Sequence, residues 1–212
     1  MDHYVITIAR GYGSGGKTIG KMLSEKLDIP YYVMNFKKEF GKYVMDYFTA
    51  EYLKGRLFGQ ADERVKPGLR KPFGKVYKGE LLPPESDDFV SDDNLFNYQA
   101  KIIKELADTC SCVIVGRCAD FILQGRTNVV KLFVHAPFES CVKTVMDMYA
   151  LPQKEAEKKI QDTDRHRSAY YKYYTRRNWD NAQNYDLCLN SAELGFDKCV
   201  EIVEAYMNIR FQ

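Results

Sequence analysis

Apolar residues recur along this chain with two different periods, and the switches between them lay out its elements. Tyr4 to Ala9 is a short, β-branched apolar run of the kind that makes a buried strand. Past residues 11–18, Ile19, Met22, Leu23 and Leu27 return at helical spacing, which predicts a helix over 17–27 ending at Asp28-Ile29-Pro30. Tyr31-Tyr32-Val33 predicts a second strand, and a helical stretch is expected from about Lys37 to Leu53. Ile102, Ile103, Leu106 and Cys110 mark a helix that feeds Cys112-Val113-Ile114-Val115. That strand is apolar at every position, so it should be central, with both faces covered. A short helix from Ala119 to Leu123, a strand at Val129–Val134 and a helix entered at Pro137 follow, the last with Phe138, Cys141, Val142, Val145, Met146 and Tyr149 on one stripe. Beyond Pro152 a long charged, tyrosine-rich helix is expected to about Thr175. Strand Tyr185–Leu189 and a helix carrying Cys199, Ile202, Val203, Tyr206 and Met207 close the chain.

Strands alternating with helices imply an α/β protein with a parallel sheet in three layers, α/β/α. Ligands of such sheets bind beyond the carboxyl ends of the strands, where residues 11–18 and Gly116-Arg117 both fall. One stretch breaks the pattern. Residues 55–94 hold repeated glycines and prolines from Gly55 to Pro84, then the acidic group Glu85, Asp87, Asp88, Asp92 and Asp93. This reads as an extended excursion, functional or disordered. Its basic half (Arg64 to Lys78) and acidic half (Glu80 to Asp93) suit either a self-attracting loop or a partner-binding arm.

Residues 11 to 18 carry the chemistry. Gly11-Tyr12-Gly13-Ser14-Gly15-Gly16-Lys17-Thr18 fits G-x-x-x-x-G-K-[ST], between a strand and a helix start as that pattern requires. Backbone amides of residues 13–18 would converge on phosphate oxygens at the helix's positive end. Lys17 would reach the β and γ phosphates, and the Thr18 hydroxyl would face Mg²⁺. Gly11, Gly13 and Gly16 also spell the dinucleotide pattern G-x-G-x-x-G. That reading wants an acidic residue at the end of the next strand, and Val33, Met34 and Asn35 stand there instead.

Bulk properties narrow the field. A net charge of +2 gives no global field for nucleic acid, and a hydrophobic fraction of 45% is ordinary for a globular domain. No apolar run approaches the ~20 residues of a membrane span, and no basic-then-apolar leader precedes the first strand. The six cysteines form no C-x-x-C pair, and no histidine has ligand spacing to one, so reduced thiols in a cytoplasmic protein are expected rather than zinc.

Two sets of arginines could serve phosphoryl transfer. Arg117 follows a central strand and a glycine, where it would grip an acceptor phosphate with two parallel hydrogen bonds or pair with Asp120. Asp120 either helps place Mg²⁺ through water or is a first-turn helix acid. Lys158, Asp162, Arg165, Ala169, Lys172 and Arg176 share a helix side, with Arg167 and Arg177 close by. Such a stripe is a solvated face, or a lid that brings Arg165 and Arg167 to the transferring group. Tyr170, Tyr171, Tyr173 and Tyr174 read as an amphipathic helix packing half its rings into the core, ahead of a base-stacking platform. No convincing general base emerges. An acceptor phosphate needs none, because its second pKa is around 6.

The loop, Val113-Ile114-Val115-Gly116-Arg117-Cys118-Ala119-Asp120, Ser168-Ala169-Tyr170-Tyr171-Lys172-Tyr173-Tyr174-Thr175 and Asn184-Tyr185-Asp186-Leu187-Cys188-Leu189-Asn190-Ser191 together resemble the bacterial cytidylate kinase-like family, a branch of the nucleoside monophosphate kinases. The likeness runs over most of the chain outside roughly 55–95. It implies a single P-loop kinase domain over 1–212, with an acceptor-binding lobe at 36–97, a lid at 152–180, and MgATP as donor. Carried over by position, Gly11, Gly13, Ser14, Gly15, Gly16, Lys17 and Thr18 serve the donor, Arg117 the acceptor phosphate, and Arg165 and Arg167 the transferring group. It further implies small-molecule nucleotides as partners, without nucleic acid or membrane. Related sequences place an Asp after the second strand's tyrosines, near the acceptor nucleoside. Here Asn35 stands close to that place, so either it substitutes as a hydrogen-bonding group or the acceptor differs. CMP or dCMP, another small acceptor, and a nucleotide-responsive regulator with little transfer activity are the three functions this leaves.

Overall fold

A computed structural model describes residues 3–33, 35–39, 42–46 and 91–211. Its frame is a five-stranded sheet, all parallel, of β1 (Val5–Arg10), β2 (Tyr31–Val33), β5 (Cys112–Val115), β6 (Val129–His135) and β7 (Leu187–Asn190), in the order β2-β5-β1-β6-β7. The register sets Ile6 beside Val113 on one side and Val130 on the other. Every residue of β1 and β5 is buried. The unbroken apolar run at 112–115 thus marks a strand with neighbours on both edges and helices over both faces.

The pleat divides the core in two. Val5, Tyr32, Cys112, Ile114 and Val129 turn to one face, where α2 (Ser91–Thr109) contributes Ile102, Ile103 and Leu106 and α3 (Ala119–Ile122) contributes Ala119. Ile6, Ile8, Val113, Val115, Leu132 and Val134 turn to the other, covered by Ile19 and Leu23 of α1 (Gly16–Leu27) and by Cys199, Val200 and Val203 of α7 (Phe196–Arg210). The short α6 (Ser191–Leu194) links β7 to α7. At the sheet's end, α4 (Phe138–Tyr149) and α5 (Gln153–Thr175) pack together through Cys141, Val142, Val145, Ala156 and Ile160. The far half of α5 buries Tyr171 and Tyr174 with Phe96 of α2, leaving Tyr170 and Tyr173 half-buried. Phe96 stacks on Tyr174 at 4.0 Å between centroids. The tyrosine run is core packing, as its helical spacing suggests.

One expected element differs. Within the stretch read as a helix from Lys37 to Leu53, the described residues form an antiparallel pair, β3 (Asn35–Glu39) and β4 (Lys42–Asp46), registered Phe36 to Met45. Short apolar spacings such as Phe36, Phe40 and Val44 fit helix and strand periods almost equally, and strand pairing is a tertiary matter. Residues 47–53, and the excursion as far as residue 90, lie outside the described residues; its last four residues, read as part of the excursion, instead open α2 at Ser91. All six cysteines are free thiols; Cys188, on the edge strand, is exposed. Among the described residues no helix is long and apolar enough to cross a membrane.

Candidate active site

The glycine loop leaves β1 and enters α1 through two left-handed residues, Gly13 (φ 85°) and Gly15 (φ 78°). Its outer side is tied to the sheet. The Gly11 amide donates to Val134 O at 3.0 Å, and the buried Ser14 hydroxyl lies 2.9 Å from Gly11 O and 3.0 Å from Val134 O. The Ser191 hydroxyl, at the end of β7, sits 2.7 Å from Ser14 O and 3.1 Å from His135 O. Three strands therefore hold the loop's shape.

Its inner side is left to a ligand. The first bond of the helical ladder runs from the Ile19 amide to Gly15 O, so the amides of Gly16, Lys17 and Thr18 precede the ladder at the mouth of α1. No side chain caps that end, and the first turn carries no acid. The helix's positive pole thus faces solvent uncompensated. The Lys17 and Thr18 side chains are both exposed there. Thr18 offers a hard oxygen donor beside this mouth. That suits Mg²⁺, which binds through one or two protein oxygens plus substrate phosphates. Among the described residues no group of three or more His, Cys, Asp or Glu could hold a metal by itself.

Arg117 reaches the same edge by a strained turn. Gly116, Arg117 and Cys118 all have positive φ, at 92°, 56° and 56°. Such a run for two non-glycine residues costs on the order of 1–3 kcal/mol each and is characteristic of functional sites. The turn lays the buried Arg117 guanidinium 4.6 Å from the centre of the Tyr170 ring. Burial lowers its pKa below the usual arginine value.

Asp120 faces elsewhere. It is buried, and its Oδ2 accepts the Tyr171 hydroxyl at 2.6 Å, tying α3 to α5. Burial pushes this carboxyl up from its ordinary range, against hydrogen bonds from Tyr171 and nearby amides. A carboxyl raised in this way is neutral in both states at low pH. Its cost to folding appears as the pH climbs through the ordinary carboxyl range and is complete above the raised value. Asp120→Asn, which keeps an acceptor for Tyr171, is therefore expected to melt above the native chain at pH about 7 and to converge with it near pH 3. Thermal melts across that range check this; a difference independent of pH would make it a packing effect.

Helix α5 brings one of its two candidate arginines to the loop. Arg167 Nη1 donates to Arg10 O at 3.1 Å and to Asp164 Oδ1 at 3.0 Å, and its guanidinium lies 5.3 Å from the Tyr12 ring centre. Both Asp164 oxygens accept the Tyr12 amide, at 2.9 and 3.0 Å. Arg165 instead is exposed and pairs with Asp162 on its own helix. Lys158, Asp162, Arg165, Ala169, Lys172 and Arg176 are all exposed, so that stripe is a solvated face. Asn35 opens β3.

Asp164, Ser191 and Arg10 escaped sequence reasoning. Asp164 and Ser191 are reached only through long-range contacts. Arg10 left a signal: a charged residue ending an apolar strand, directly before the first glycine.

A parallel sheet of this order, with a glycine loop after β1 opening into a helix, defines the P-loop kinase fold. The chain belongs to the cytidylate kinase-like family, which it matches over residues 5–193. It is similar in fold to an uncharacterized protein from Eubacterium ventriosum, at 22% identity over 97% of this chain and 99% of that one, with a TM-score of 0.67. It is also similar to a shikimate kinase from Bacteroides thetaiotaomicron, at 11% identity over 97% and 98%, with a TM-score of 0.51. A 36-residue segment is 61% identical to the tRNA-specific 2-thiouridylase MnmA of Lachnoclostridium phytofermentans; it covers 17% of this chain and only 10% of that protein.

Proposed function

We propose that this protein transfers the γ-phosphoryl group of ATP to a nucleoside monophosphate, with CMP and dCMP the first acceptors to test. The observation that carries the reading is the uncapped mouth of α1, with Lys17 and Thr18 exposed there and Arg117 and Arg167 on neighbouring elements of the same edge. Polyphosphate binds the loop amides, Lys17 neutralises charge on the β and γ groups, and Thr18 holds Mg²⁺ brought with the nucleotide. Held there, the metal would supply charge neutralisation at the phosphates. Arg117 holds the acceptor phosphate, and Arg167 faces the group in transit. The acceptor oxygen is ionised near neutral pH, so alignment and charge neutralisation suffice without a side-chain base. Residues 36–97 form the acceptor lobe and 152–180 the lid. Asp164 and Arg167 fasten that lid to the loop.

ADP release from MgATP, measured against a panel of monophosphates and non-nucleotide acceptors, tests this. Turnover with one monophosphate supports it. Turnover only with a non-nucleotide acceptor makes the protein a P-loop kinase of another substrate. Stabilisation by MgATP with no ADP from any acceptor makes it a nucleotide-responsive regulator.

Arg117→Ala is expected to raise the acceptor KM and lower kcat together, with kcat/KM falling by roughly 10²–10³. The left-handed φ of residue 117 strains alanine no more than arginine, so the fold should tolerate the change. Steady-state kinetics with varied acceptor read the effect; unchanged acceptor dependence would make Arg117 structural.

A further inference from the structure

Helix α5 carries two aspartate–arginine pairs, each three residues apart, and they are used differently. Asp162 and Arg165 bond to one another on the outer face, where both are exposed. Such a pair contributes little to a helix. Asp164 and Arg167 are half-buried and reach the far end of the sequence. Both Asp164 oxygens accept the Tyr12 amide, at 2.9 and 3.0 Å, and Oδ1 also accepts Arg167 Nη1 at 3.0 Å. A Cβ placed on Gly11 would meet Asp164 Oδ2 at 3.8 Å, so the carboxylate covers the first glycine of the loop as well.

Arg167 is held from three sides. Its Nη1 donates to Arg10 O at 3.1 Å and to Asp164, while its guanidinium lies 5.3 Å from the Tyr12 ring centre. That ring is itself wedged among Cys141, Val142, Val145, Ala156 and Ile160 of the α4–α5 pair. Residues 10–12, the entry to the phosphate loop, are thus joined to α5 through a carbonyl, an amide and a ring. Both printed bonds of Arg167 use Nη1. The donors on Nη2 and Nε are left for a ligand, on a guanidinium whose orientation is already set. Freed of its carboxylate, the same long side chain would keep one carbonyl partner and most of its rotamer freedom.

We infer that Asp164 is a positioning residue. Its carboxylate fixes the Arg167 guanidinium to the entry of the loop, so that the open edge of Arg167 and the loop amides meet one phosphate chain in a set geometry. This rests on the phosphotransfer reading and deepens it, because it states what holds the lid arginine in place. Preorganisation of this kind acts on the transfer step more than on ground-state binding.

A double-mutant cycle on the full chain tests it, with MgATP as donor and the acceptor that gives the highest turnover. Arg167→Ala should lower kcat by about 10²–10³. Asp164→Ala should lower it about 10- to 100-fold, the cost of a guanidinium misplaced by about 1 Å. MgATP affinity in Asp164→Ala should stay within about threefold of the native chain, since the amides of 13–18 and Lys17 are untouched. In the Arg167→Ala background, Asp164→Ala should change kcat by no more than about threefold, because the group it positions has gone. Asp162→Ala, in the pair on the outer face, should leave kcat within about twofold. An equal loss from Asp164→Ala with and without Arg167, or no loss in either, overturns the inference.

If Asp164→Ala does not fold, Asp164→Asn takes its place in the cycle. It keeps an oxygen for the Tyr12 amide and loses the charge that draws Arg167. A fall in kcat of about threefold or more that vanishes without Arg167 supports the inference; a fall that persists, or none, overturns it. The hold on Arg167 also has a readout that needs no turnover. NMR spectra of the chain labelled in its arginines, with Arg167 assigned by its loss in Arg167→Ala, should show restricted Nη protons in the native chain and averaged ones in the Asp164 variant. Should the native chain form no ADP with any acceptor, the phosphotransfer reading fails and these spectra decide the hold. Averaging in the variant supports it. Unchanged restriction, or averaging already in the native chain, overturns it.

Discussion

Lys17→Ala is expected to abolish phosphoryl transfer while leaving the fold unchanged. The side chain is exposed at the mouth of α1, so its removal should move stability by no more than about 0.5 kcal/mol. The Tyr31 hydroxyl donates to Lys17 O at 2.8 Å, a backbone contact that survives in alanine. What disappears is the compact positive charge beside the loop amides. In a water-poor site a single preorganised charge of this kind is worth on the order of 10²–10³ in kcat, and cationic residues at a phosphoryl group reach about 10³–10⁵. Single-turnover ADP formation and a thermal melt, run on one preparation, settle it. Full activity with an unaltered melt would remove the loop as the donor site.

Gly13→Ala should damage the protein more than Gly15→Ala, although both glycines are left-handed and both serve the same loop. The shared penalty is the positive φ, about 1–2 kcal/mol for an L-residue. The neighbours differ. A Cβ at Gly13 would stand 2.7 Å from the backbone oxygen of Cys141 and 3.0 Å from its Cα, inside α4, which cannot yield without moving the α4–α5 pair. At Gly15 the obstacle is the tip of the Phe196 ring at 2.3 Å. That side chain is 36% exposed and can swing aside. Overpacking against backbone adds about 1–3 kcal/mol, so Gly13→Ala should cost about 2–5 kcal/mol and roughly 5–15 °C in Tm. Gly15→Ala should cost about 1–2 kcal/mol. Removing the ring in Gly15→Ala/Phe196→Ala should recover only the steric share, and that coupling is what a double-mutant cycle isolates. Equal losses at the two glycines, unaffected by Phe196, would mean that φ alone governs them.

Much of the frame was legible because its signals are local. The apolar run at 112–115, the helical stripes at 19–27 and 138–149, and the glycine loop each follow from residue types a few positions apart. The paired strands at 35–39 and 42–46 were not legible. Their spacing suits a helix as well, and pairing depends on a partner strand. The site divides in the same way. Lys17, Thr18 and the glycines are set by one contiguous motif, and Arg117 by its place after a central strand. Arg165 and Arg167 look alike in sequence, two residues apart on one helix. A rotation of about 200° between them sends one to solvent with Asp162 and the other to the loop.

By itself the sequence determined the layered α/β plan, the family and the phosphate loop, since strand periodicity, helix stripes and glycine chemistry act over short stretches of chain. Only the tertiary structure decided which charges share the cleft. Arg10 and Arg167 lie far apart in the chain, and the packing of α5 over the end of β1 is what brings the Arg167 guanidinium to the Arg10 carbonyl. The same packing turned Asp120 to Tyr171 and gave Asp164 the Tyr12 amide. Burial and long-range hydrogen bonds, which no local pattern encodes, set those choices.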